Sequence, residues 1–207
     1  MFGLFWRQEE RLLWERVGNR LGARQVKPWF YRGPTLIHEY RHWEIMLSLG
    51  FRRVGQKKVT RVGVRVLNPD GLHMRLFPEN LLVRLGKMVG MQDIQVGHAP
   101  FDDTYLIQSN QPKQVKALLS DPQLQQAVLA LSRVQLCVKP KQRLFFGLIP
   151  TRNKGEITLD WGRLIKSEET LIAGIQAVIC LLDRLAACDL IDERPALAGM
   201  PKLFPLF

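Results

Sequence analysis

The clearest period along the chain is two. Between residues 59 and 67, Thr60, Val62, Val64 and Val66 alternate with Arg61, Gly63 and Arg65, which predicts a strand with one apolar and one cationic face. Leu36, His38, Tyr40 and His42 alternate with Ile37, Glu39 and Arg41 in the same way, and Trp43, Ile45 and Leu47 extend or partner that strand. Ile94 with Val96, and Tyr105 with Ile107, predict two half-buried strands around the sharp Gly97-His98-Ala99-Pro100 loop. Asn68-Pro69-Asp70-Gly71 is turn chemistry, so residues 72–76 are expected to return antiparallel to 59–67. A further strand pair is expected from 134–138 and 143–149 around Lys139-Pro140-Lys141, with 157–159 as a last short strand.

Elsewhere the period lengthens to that of a helix. Leu12, Leu13, Val17 and Leu21 predict a helix over 7–21, with Trp14 at the edge of its stripe and Gly22 at its stop. Leu81, Leu82 and Leu85 predict another over 78–89. Asp121-Pro122 is a strong start signal inside 112–131, where Leu124, Ala127, Val128 and Leu131 share a face. Ser167-Glu168-Glu169 opens the longest helix, 167–188, with its carboxylates in the first turn. The fold class is therefore α+β: two antiparallel sheet units, over 27–76 and 94–159, covered by helices. The expected division is 1–90, 91–192 and a proline-containing apolar tail over 193–207.

Leu76-Phe77-Pro78-Glu79, Leu85-Gly86-Lys87, Gly90, Asp93-Ile94, Gly97 and Phe101-Asp102 form a run of spaced signals. This run resembles the core of a group of uncharacterised bacterial proteins that share D-I-x-x-G-x-x-x-F-D after an apolar helix. Trp14, Val17 and Leu21-Gly22 are similar to a Trp-centred first helix in the same group. Where that group has an acidic residue after the glycine, this chain has His98, so no carboxylate role is implied there. The resemblance implies an architecture and no chemistry.

At 207 residues, with 46% apolar and 24% charged residues, the chain can bury a core as one domain or two small lobes. Cys137, Cys180 and Cys188 make neither an even framework nor a C-x-x-C pair, which fits reduced thiols and a cytoplasmic location. The apolar run over 171–182 is shorter than the roughly 20 residues of a membrane span, so no transmembrane segment is expected. The net charge of +11 is concentrated: 45–69 and 122–155 each hold six Lys or Arg and no acid. Localised basicity points to an anionic partner: an acidic protein, a membrane surface met peripherally, or nucleic acid. The candidate contacts are Arg53, Lys57, Arg61, Arg65, Arg133, Lys139, Lys141 and Arg143, the last close to Phe145 and Phe146.

One motif offers catalysis instead. His38-Glu39-Tyr40-Arg41-His42 matches H-E-x-x-H, which on a helix turns both imidazoles to one zinc ion and sets the Glu as general base. The two-residue alternation, Pro34 just upstream and the cationic Arg41 argue for a strand, where the two imidazoles share a side but stand too far apart to chelate one ion. His98 with Asp102 and Asp103 is a second cluster, of a kind that more often caps turns. No nucleophile elbow, phosphate-cradling loop or dinucleotide fingerprint occurs. The reading is a non-catalytic binding or assembly module without cofactor; the alternative is a zinc-dependent hydrolase on His38, Glu39 and His42.

Overall fold

The alternating segments become strands, and one sheet gathers nearly all of them. The computed structural model describes residues 8–26, 34–51, 58–79, 93–140, 143–144, 149–150 and 153–194. Within these, eight strands form a single antiparallel sheet: β1 (Arg24–Val26), β2 (Thr35–Tyr40), β3 (Trp43–Phe51), β4 (Lys58–Leu67), β5 (Met74–Pro78), β6 (Tyr105–Ser109), β7 (Gln135–Pro140) and β10 (Lys154–Asp160). Their spatial order is β1-β2-β3-β4-β10-β7-β5-β6, and β8 (Arg143–Leu144) pairs separately with β9 (Ile149–Pro150). Five helices accompany them: α1 (Gln8–Leu21), α2 (Ala99–Asp102), α3 (Pro112–Leu119), α4 (Pro122–Leu129) and α5 (Glu168–Ala187). The fold class is α+β, as the two periods predict.

The core lies between one sheet face and the helices. Register aligns Ile45 with Val64, Val64 with Ile157, Ile157 with Val138, and Val138 with Met74, so the inward rows of five strands form one apolar surface. Onto it pack Trp14 and Val17 of α1, Leu118 of α3, Leu124 of α4, and Leu171, Ile175, Val178, Leu182 and Leu185 of α5. Each such side chain contributes about 1.5–3 kcal/mol relative to exposure. Among the described residues α5 alone is long and apolar enough to cross a membrane by length and composition; here its apolar stripe is buried in this core. Ser167 caps α5, accepting from the Thr170 N–H at 3.2 Å, and Asp121 caps α4 through Leu124 N–H at 2.9 Å, which confirms both start signals.

Several expectations need correction. The two sheet units are one sheet, because β4 and β10 pair along seven residues, from Lys154 opposite Leu67 to Asp160 opposite Arg61. With β3 on its other edge, β4 has no edge left for residues 72–76. The chain does turn at 68–71, with Gly71 at φ +63, but β5 then runs between β6 and β7. Likewise β7 pairs with β10 and β5 rather than with 143–149. Turn chemistry says where a chain bends; which edge it joins is decided by distant strands. In α1 the stripe is rotated from expectation: Trp14 is central at 1% exposed, and Leu12 is 46% exposed. Of the helix expected over 78–89, Pro78 instead ends β5, and residues 80–89 lie outside the described residues.

Candidate functional site

Residues 35–51 settle the geometry of the His-Glu motif. They form the β2–β3 hairpin, with Tyr40 opposite Trp43 and a two-residue turn at Arg41-His42, Arg41 taking φ 52. A strand sends neighbours to opposite faces. His38 therefore lies on the helix-covered side, where its Nδ1–H donates to the carbonyl of Leu21 at 3.0 Å and caps the end of α1. Glu39 is exposed on the other face. His42 sits in the turn with its ring 4.0 Å from that of Trp43. These three side chains do not fit a zinc chelate. Among the described residues no three His, Cys, Asp or Glu are grouped to hold a metal ion.

The hairpin tip is instead anchored to α5. The Tyr40 hydroxyl donates to Asp183 Oδ2 at 2.8 Å, and that bond, with burial behind it, raises the Tyr40 pKa. Arg41 reaches the same carboxylate at 3.3 Å and lies 5.4 Å from the centre of the Tyr40 ring. Tyr40 and Asp183 are 143 positions apart, and no local pattern marks them as partners.

The loop cluster is a backbone organiser. The Asp102 carboxylate accepts from the N–H groups of Val96, Gly97 and His98 at 2.9, 2.8 and 3.2 Å. Asp93 accepts from Ile107 N–H at 3.0 Å. Phe101 is fully buried, and Gly97 takes φ +90, a value that favours glycine. Of the fixed positions of the D-I-x-x-G-x-x-x-F-D run, Asp93, Gly97, Phe101 and Asp102 thus have structural duties and Ile94 is buried, while the side chain of His98 is exposed. Asp102→Ala is expected to lower unfolding free energy by about 2 kcal/mol through loss of charge-assisted bonds. Asp103→Ala, on an exposed neighbour, is expected to shift it by less than about 0.5 kcal/mol. Urea titrations compare the two.

The strand cations fall on the sheet face away from the core, and there the sequence expectation changes most. Arg61 lies opposite Asp160 in register and meets it at 2.6 Å; Lys139 lies opposite Glu156 and meets it at 3.4 Å. Arg65 is opposite Glu156. Burial lowers its pKa, opposed by the fields of Glu156 and Glu44. Arg24 reaches Glu44 at 3.4 Å. The face is therefore mixed in sign, with Glu156 at 7% and Thr158 at 8% exposed. On this face Cys137 is pushed up in pKa by burial, as expected of an inert thiol. Of the other candidates, Arg133 is exposed in the α4–β7 connection at φ 55, and Arg143 stands in β8. Arg53, Lys57, Lys141, Phe145 and Phe146 lie outside the described residues.

No family model matches the chain, and no curated protein matches it in sequence. Its fold is similar to the crystal structure of the mycobacterial trehalose monomycolate transport factor A, TtfA. The TM-score is 0.52 at 8% identity, over 86% of this chain and 96% of that one. That likeness concerns the fold.

Proposed function

We propose that the protein is a non-catalytic binding or assembly module that meets an anionic partner. The observation that supports it is the placement of charge along the sequence: a net charge of +11, with residues 45–69 and 122–155 each holding six Lys or Arg and no acid. A basic surface that served only solubility would gain nothing from excluding acids so completely from particular segments. The strand cations add little, because Arg61 and Lys139 each face a carboxylate. The solved structure of similar fold bears the name of a transport factor, and a role in holding or positioning a partner is in keeping with it.

Heparin serves as a generic polyanion for the test. Its dissociation constant is expected to rise at least tenfold between roughly 50 and 200 mM salt, as released counterions oppose binding. Fluorescence anisotropy of labelled heparin reads this directly. Absence of binding at the lower salt, or an affinity that salt leaves unchanged, overturns the proposal.

A further inference from the structure

The sheet face away from the core holds a compact group of basic residues on the side far from β1. Arg75 of β5 lies opposite Cys137 of β7 and opposite Gln108 of β6. Cys137 in turn lies opposite Thr158 of β10. Met74, Leu76, Ile107, Leu136 and Val138, which alternate with these residues, are all buried in the core. Arg75, Cys137 and Gln108 therefore point the other way. Met74 is opposite Val138, so the next residues along, His73 and Lys139, stand side by side on that same face. His73 is pinned there: its N–H donates to Asn110 Oδ1 at 2.7 Å, and its carbonyl accepts from the Asn110 N–H at 3.1 Å. Side chains opposite one another on adjacent strands are about 5 Å apart at Cβ. His73, Arg75 and Lys139 thus bracket the Cys137 thiol.

Cys137 and Thr158 are short side chains beside long ones, which leaves a shallow recess between Arg75 and Lys139. Burial lowers the His73 pKa, and the fields of Arg75 and Lys139 lower it further. The same two cations act on the Cys137 thiol, together with Arg61 and Asp160. Lys139 meets Glu156 at 3.4 Å but keeps half of its side chain exposed. An ammonium has three donors, so one ion pair leaves it able to take a second anion. Gln108 adds a different demand. It is 8% exposed, and its Oε1 has no hydrogen-bond partner among the described residues. A buried amide oxygen without a donor is costly, and whatever satisfies it must bring an N–H or O–H. Cations alone suit any acid. The unpartnered oxygen narrows the choice to an anion that also carries a proton, as phosphate groups do near pH 6.

We infer that His73, Arg75 and Lys139 seat a small phosphate group, which donates its P–O–H to Gln108 Oε1. A seat for one small oxyanion is a separate property from capture of a polyanion, and either can fail without the other. The test uses the full chain, whose four histidines are followed through their imidazole signals in NMR titrations of pH. Inorganic phosphate at about 20 mM is expected to raise the His73 pKa by about 1, because an adjacent anion favours the imidazolium. Sodium chloride of equal ionic strength should not do so. His98, exposed on the loop before α2, should keep its pKa in both. Sulfate brings no proton for Gln108 and is expected to need about tenfold more, the worth of one buried hydrogen bond.

Arg75→Gln with Lys139→Gln is expected to abolish the phosphate effect, and Lys113→Gln with Arg163→Gln, exposed elsewhere, to preserve it. Should the first pair not fold, the contrast between His73 and His98 in the unaltered chain decides alone. Glycerol phosphate separates the sources: tighter binding than the inorganic ion assigns the seat to a phosphorylated small molecule, equal binding to free phosphate. A shift shared by all four histidines, absent at His73, or retained in Arg75→Gln with Lys139→Gln overturns the seat. Sulfate acting as strongly as phosphate overturns the part given to Gln108.

Discussion

Asn68→Ala is expected to destabilise the fold by about 3 kcal/mol. Asn68 is 2% exposed, and its amide bridges both polar groups of the Leu72 backbone, accepting from N–H at 2.8 Å and donating to O at 2.9 Å. Leu72 is fully buried, so alanine leaves a donor and an acceptor without partners, each costing about 1–3 kcal/mol. Asn68→Asp separates the two losses. A carboxylate still accepts from the Leu72 N–H but has no proton for its carbonyl, and about half the cost or more should remain. Equilibrium urea unfolding decides; a change under about 1 kcal/mol for the alanine variant would show that the turn holds without this amide.

Gly174→Ala is the second large effect, and its sign runs against helix propensity. Inside a helix the exchange is ordinarily favourable by about 1 kcal/mol. Here a Cβ on Gly174 would stand 2.3 Å from Trp161 Cη2 and 2.8 Å from Cζ2. Trp161 is 5% exposed, so the ring has little room to retreat. Overpacking at a rigid neighbour costs about 1–3 kcal/mol beyond the propensity gain, and the net expectation is a loss of about 2 kcal/mol. Trp161→Phe removes the colliding atoms. In a double-mutant cycle the alanine should then be neutral or stabilising; additivity would place the strain elsewhere.

The sequence made the elements legible where local chemistry decides them. Thr60, Val62, Val64 and Val66 lie on one side of β4 because alternation is a property of the strand itself. Ser167 and Asp121 mark helix starts because a cap is made within three residues. The hairpin at residues 35–51 could be told from a helix by its period. Pairing was not legible, since nothing near Asn68-Pro69-Asp70-Gly71 records that both edges of β4 are occupied. The same cause hid the chemistry of the polar face. Glu156 and Asp160 sit in a short segment whose partners are read only from register, so Arg61 and Arg65 looked like an uncompensated cationic row. The helix period placed Trp14 at the edge of its stripe because the buried face of α1 is set by β2 and α5, against which it packs, and the period alone does not contain them.

The junction at the middle of the sheet has a consequence for how the molecule is made. Arg61 and Asp160, which close it, are 99 positions apart in a chain of 207, so β4 waits through nearly half of synthesis with one edge lacking its neighbour. Long loop closure of this kind slows folding. Until the last strand arrives, open ladders on β4 and β7 are templates for other chains. Crowding by sister copies is most hazardous in that interval, and a chaperone that shields strand edges would act there with greatest benefit.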